Sequence, residues 1–165
     1  MTETLPLPAF TLPAFPQTGG CQCGQVRYRL TAPPIVLYAC HCTSCQKQSG
    51  SAFGLSLWVR KNDLDVSGSL SSMQRITGSG KRISCDFCPK CGTRLFHTRA
   101  RPGQTLNIRA GTLDETGWLV PAGHIWTRFK QGWIEISKGT LTCETQPENY
   151  DALTARWQEM MQNGA

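Results

Sequence analysis

Apolar and polar residues alternate along much of this chain, and each alternating run is short. Val26-Arg27-Tyr28-Arg29-Leu30 puts apolar side chains on one face and arginines on the other, the period-2 pattern of a half-buried strand, and Pro33-Pro34 ends it. Further strands are predicted over residues 35–39, 53–59, 71–76, 95–98, 106–110 and 132–136. Gly68, Gly78, Gly80, Gly103, Gly111 and Gly123 punctuate them as turns. Only the C-terminus carries a helical period: Leu153, Trp157, Met160 and Met161 share one face, and Pro147 stands near the predicted start. The pattern predicts a mainly β fold with short helices and one C-terminal helix.

The N-terminus is patterned differently. Leu7-Pro8-Ala9-Phe10 is nearly repeated as Leu12-Pro13-Ala14-Phe15, and the spaced prolines exclude helix and favour an extended polyproline conformation. Leu7, Phe10, Leu12 and Phe15 are too apolar for a solvated linker. An arm over residues 1–17 is therefore expected to lie along the domain or on a partner subunit, and a homodimer through the arm is the oligomeric expectation. A metal-binding domain over 18–140 and an extension with the helix over 141–165 complete the expected division.

At 165 residues and 18.2 kDa the chain fits one domain, with 39% hydrophobic residues and 16 glycines. No apolar run is long enough to span a membrane. Met1-Thr2-Glu3-Thr4 has no basic region of the kind that precedes a secretory signal, and Pro6, Pro8 and Pro13 break any apolar run, so a cytoplasmic, reduced protein is expected. The formal charge is +6. Two zinc ions held by seven thiolates would bring it to about +3. The arginines are scattered, so no nucleic-acid partner is expected, and a small anionic substrate suits the excess equally well.

Seven of the nine cysteines fall into three tight clusters: Cys21-x-Cys23-Gly24, Cys40-His41-Cys42-x-x-Cys45 and Cys88-x-x-Cys91-Gly92. Thiolates so close in sequence rarely bridge one another without strain, but they converge readily on one soft tetrahedral ion, most often zinc. The first and third clusters are each followed by glycine and look like two halves of one closed, structural site. The middle cluster gathers three ligands in six residues with no local fourth, as an open site would. Cys85, His97 or His124 closing that second site is the alternative, and it would leave two structural zincs. His41 stands between two of the ligands. Adjacent residues seldom ligate one ion, so its side chain is expected to turn elsewhere.

Taken with their neighbours, the clusters resemble a known family. Gly20-Cys21-x-Cys23-Gly24-x-Val26-x-Tyr28, Cys40-His41-Cys42-x-x-Cys45-x-x-x-Ser49-Gly50-Ser51-Ala52-Phe53, Phe87-Cys88-x-x-Cys91-Gly92-Thr93, Gly111-Thr112-Leu113-Asp114 and His124-Ile125-Trp126 with Trp133-Ile134 are similar to the glutathione-dependent formaldehyde-activating enzyme family, which includes centromere protein V. The resemblance covers about Thr18 to Ile136. It implies a fold of twisted antiparallel sheets with two zinc ions. Cys21, Cys23, Cys88 and Cys91 match the structural ligands, and Cys40, Cys42 and Cys45 match the catalytic ones. Gln46 stands where many relatives have a basic residue, and Cys85 is outside the family pattern.

The activity implied is that of a carbon–sulfur lyase: glutathione, the expected co-substrate, adds through its thiol to formaldehyde or a related aldehyde at the three-cysteine zinc. His41 is the candidate proton donor to the forming oxygen. Lys47, the cation nearest the cluster in sequence, is the candidate partner for a glutathione carboxylate. The competing expectation is a zinc-stabilised binding module with two structural sites and no catalysis, because one fold hosts unrelated functions.

Overall fold

The structure is a computed structural model and describes residues 11–99 and 103–163. Residues 1–10, with the first half of the Pro-rich arm, lie outside the described residues, as does any contact of theirs with a partner. From the second half, Leu12 and Phe15 pack against the core.

Among the described residues the fold comprises two sheets and two α-helices, with three short 3-10 turns between strands. Strands β1 (Gln17–Gly20), β2 (Arg27–Leu30) and β5 (Leu64–Ser67) form a three-stranded antiparallel sheet in the order β1-β2-β5. The larger sheet has eight strands: β3 (Val36–Cys40), β4 (Gly54–Arg60), β6 (Ser71–Ile76), β7 (Arg82–Phe87), β8 (Arg94–Arg99), β9 (Thr105–Arg109), β10 (Gly123–Ile125) and β11 (Leu141–Cys143). Its order is β11-β10-β3-β4-β9-β8-β7-β6. Pairing is antiparallel except that β10 runs parallel to both β3 and β11. Helix α1 (Thr43–Ser49) follows β3, and α2 (Asp151–Asn163) ends the described chain.

Register divides the large sheet into two faces of opposite chemistry. Leu37 pairs with Leu57, Leu57 with Ile108 and Ile108 with Phe96, so one face carries an unbroken apolar row, each member at most 2% exposed. That row covers the small sheet, where Tyr28 meets Phe96 edge to face at 5.5 Å. Burying each such side chain stabilises the fold by about 1.5–3 kcal/mol. One residue along, the opposite face carries Tyr38, Ser56 and Arg109 in one row and Trp58, Asn107 and His97 in the next. Polar and aromatic side chains thus gather on one side of a sheet whose other side is the core.

Helix α2 packs on β3 through Leu153, Trp157 and Met160, all buried, and the Trp157 indole donates to the Pro34 carbonyl at 3.3 Å. The expected stripe is therefore core, with Met161 at its half-buried edge. Two expectations are corrected. Residues 132–136 form no strand: Ile134 N–H closes a turn on Gln131, the Lys130 ammonium donates to the Ile134 carbonyl at 2.7 Å, and Trp133 stands 73% exposed. With turn and side-chain partners available, that backbone needs no neighbouring strand. Gly123 lies inside β10, where it meets the Leu141 carbonyl and the Leu153 side chain closely enough to exclude a Cβ. It serves close packing instead of a turn.

Candidate metal centres and cleft

The first group of cysteines joins the two sheets. Cys21 and Cys23 stand in the turn between β1 and β2, and Cys88 and Cys91 in the turn between β7 and β8. Their sulfurs all lie within 4.8 Å of one another, with 3.5 Å between Cys21 and Cys23 and 3.7 Å between Cys23 and Cys88. Each turn ends on a left-handed glycine, Gly24 at φ 77° and Gly92 at φ 74°, a conformation that costs other residues more. Backbone amides support the sulfurs, with Val26 N–H donating to Cys21 Sγ at 3.2 Å. The Thr93 hydroxyl and backbone hold the Cys91 thiol down to about 5.

The second group is local. Cys40 ends β3, Cys42 caps α1 with its sulfur accepting from Cys45 N–H at 3.4 Å, and Cys45 lies in the first turn. These three sulfurs also lie within 4.8 Å of one another, and no fourth His, Cys, Asp or Glu among the described residues joins them. Hydrogen bonds from Cys40 and Cys45 pull the Cys42 thiol down to about 2, while giving those bonds pushes Cys40 far up. Three thiols at this spacing share protons, one ionising at the expense of its neighbours. A soft divalent cation suits such a donor set, because it replaces the shared protons and lets all three ionise. The four-sulfur group fits the same kind of ion.

Of the groups weighed as closing ligands, Cys85 and His124 have other contacts, and His97 stands in the cleft described below without joining the three sulfurs. Cys85 is fully buried in β7, where it accepts a long contact from the Gln48 amide at 3.9 Å. His124 Nδ1 pairs with His41 Nε2 at 2.8 Å, and both rings stack beside Phe53. His41 is fully buried and does not line the cleft described below. Period 2 explains this: His124 pairs with Ala39 and Ile125 with Cys40, so the histidines belong to the face opposite the sulfur of Cys40. Burial keeps both imidazoles below their ordinary pKa, His124 at about 4.

The three sulfurs open on a cleft over the polar face of the large sheet, about 960 Å³ counting its mouth. Arg75, Lys81, Arg99 and Arg109 line it, and among the described residues no carboxylate does. Tyr38, Trp58, Trp126 and Tyr150 supply aromatic walls, Tyr150 lying 5.3 Å from Tyr38 and 5.6 Å from Trp58 between ring centroids. Trp126 is held at φ 60°, a left-handed conformation unusual outside glycine, and its indole donates to Gln146 at 3.2 Å. The tip of the β6–β7 hairpin rests on it: a Cβ at Gly78 would come within 3.1 Å of the indole.

His97 also lines the cleft. It is 9% exposed, its Nε2 has no partner, and burial with Arg109 and Arg75 nearby lowers it to about 3, so the ring is neutral. Lys47 is exposed on α1 and outside the cleft. The cations that do line it escaped the sequence reading, because Arg75, Arg99 and Arg109 stand on three strands far apart in the chain. Their shared signal is position: each lies at an alternate site that register brings to the same sheet face as Cys40.

The model of a protein family described as glutathione-dependent formaldehyde-activating enzyme matches residues 16–129. A Halomonas elongata protein named "Putative glutathione-dependent formaldehyde-activating enzyme" is 27% identical over 127 residues, 72% of this chain and 79% of its own length. A Talaromyces marneffei protein of the same name is 26% identical over 158 residues, 90% of this chain and 76% of that one. A crystal structure of a Rhodobacter sphaeroides protein aligns over 59% of this chain and 87% of its own, with TM-score 0.44 and 22% identity.

Proposed function

Because the chain belongs to the glutathione-dependent formaldehyde-activating enzyme family, we propose that it is a zinc-dependent carbon–sulfur lyase, joining a carboxylate-bearing thiol such as glutathione to formaldehyde or a related small aldehyde. One observation carries the proposal: three converging sulfurs, without a fourth ligand among the described residues, face a cleft lined by four cations and no carboxylate. In this reading Cys21, Cys23, Cys88 and Cys91 hold a structural zinc, while Cys40, Cys42 and Cys45 hold the zinc that serves the reaction.

Zinc held by Cys40, Cys42 and Cys45 would lower the pKa of a substrate thiol and keep its sulfur nucleophilic. The rest falls to side chains. Arg75, Lys81 and Arg99 pair with the carboxylates of the thiol substrate and fix its orientation. Tyr38, Trp58, Trp126 and Tyr150 restrict water around the reacting carbon. The net change forms one carbon–sulfur bond, turns the aldehyde C=O into an alcohol and moves the thiol proton to that oxygen. With His41 off the cleft, water carries the proton to the new oxygen.

Calorimetry of the zinc-loaded protein with glutathione and S-methylglutathione tests this reading. Glutathione should bind through its sulfur, and S-methylglutathione, which has no thiolate to offer, should bind at least about tenfold more weakly. Equal binding, or none, would favour a zinc-stabilised binding module.

A further inference from the structure

Arg109 ends β9, and only 8% of it is exposed. Burying a guanidinium is unfavourable unless an anion compensates it. Among the described residues the ion pairs are Arg27 with Asp114 and Arg60 with Asp63, and neither includes Arg109. It lines the same cleft as Cys40, Cys42 and Cys45, where no carboxylate of the described residues stands to compensate it.

Gly54 admits it. A Cβ built at Gly54 would lie 1.9 Å from Arg109 Nη2, 2.8 Å from Cζ and 3.0 Å from Nη1, so the guanidinium lies against the Gly54 backbone. Gly54 pairs with Cys40, and Arg109 pairs with Ser56 two residues along the same strand, which puts glycine, arginine and cysteine on one sheet face. Glycine weakens a central strand, and Gly54 has no positive φ to require it. Its use here is space.

Charge explains why a cation belongs there. Three thiolates around a divalent ion leave one negative charge, and a fourth thiolate raises it to two. A neutral fourth ligand adds none. We infer that Arg109, seated on Gly54, is a positioning residue that makes the three-cysteine centre select an anionic thiolate over a neutral fourth ligand. This rests on reading that cluster as a three-thiolate metal site.

The test uses the full chain loaded with cobalt(II), whose visible absorption reports its ligands, titrated with 2-mercaptoethanol and with imidazole. The small thiol has no carboxylate, so an effect on it is not substrate-carboxylate recognition. Arg109→Met should keep its cobalt and lose at least about tenfold in 2-mercaptoethanol affinity while imidazole affinity changes by less than about threefold. Arg109→Lys should restore part of the thiol preference. Gly54→Ala should reproduce the loss and add nothing in an Arg109→Met background, since both changes remove one interaction. Unchanged thiol affinity in Arg109→Met, or equal loss of both ligands, overturns the inference even when the parent binds thiols normally. A parent whose spectrum no thiol alters overturns the proposed function and this inference with it.

Discussion

The two cysteine groups use the same donor atom in opposite architectures. The four-sulfur group is assembled from two hairpin turns that belong to different sheets, so it exists only when both sheets have formed and come together. The three-sulfur group is made by one strand end and one helix start within six residues, and its open side meets a cleft. A metal bound in the first group would staple the two sheets and so contribute directly to folding, whereas one bound in the second would sit on a single local segment.

The most drastic way to separate them is Cys91→Ser. Losing a ligand of the stapling centre should unfold or aggregate the protein, because structural zinc contributes on the order of 10 kcal/mol to small domains. Circular dichroism of the purified variant checks this, and a native melt would break the comparison. Cys42→Ser should behave differently: the protein stays folded, holds about one zinc per chain instead of about two, and loses glutathione binding. Elemental analysis and calorimetry read both quantities. An equal collapse from the two substitutions would make both centres structural.

A gentler probe is pH. A thiol that binds as thiolate releases its proton, so below the solution pKa of the thiol, about 8.5, affinity should rise about tenfold per pH unit. Above that value the thiol is already ionised and the rise should stop. Calorimetry in buffers of different ionisation enthalpy measures the proton count, and a flat profile would mean that the thiol does not bind as an anion. The smallest effect is expected of Cys85→Ala. Cys85 is buried and its sulfur joins neither group, so the variant should lose about 1 kcal/mol of stability and nothing in thiol affinity. Gained affinity would identify Cys85 as a closing ligand.

Strand prediction succeeded where one face is apolar throughout. The runs over 35–39, 53–59 and 106–110 contain Leu37, Leu57 and Ile108, whose burial on the core side dictates the alternation. It missed β7, because Arg82-Ile83-Ser84-Cys85-Asp86-Phe87 mixes charge and apolar character along a strand near the sheet edge. It also missed the three- and four-residue strands β1, β5, β10 and β11, which are too short to show a period. Helix α1 was hidden inside the cysteine cluster, where ligand spacing masks helical spacing.

The sequence by itself determined the grouping of donors, because thiols within a few residues of one another are brought together by local turns that glycine and helix capping encode. It likewise determined the family, through the spacing of seven cysteines and their neighbours. Only the tertiary structure decided what surrounds the open group. Arg75, Arg99 and Arg109 reach one sheet face through strand register, His41 is kept off the cleft that His97 lines because alternate residues face opposite sides of a sheet, and Gly54 acquires its use from a side chain 55 positions away. Local spacing is written in the chain; which distant side chains share a face is set by pairing, and pairing is settled only when the core closes.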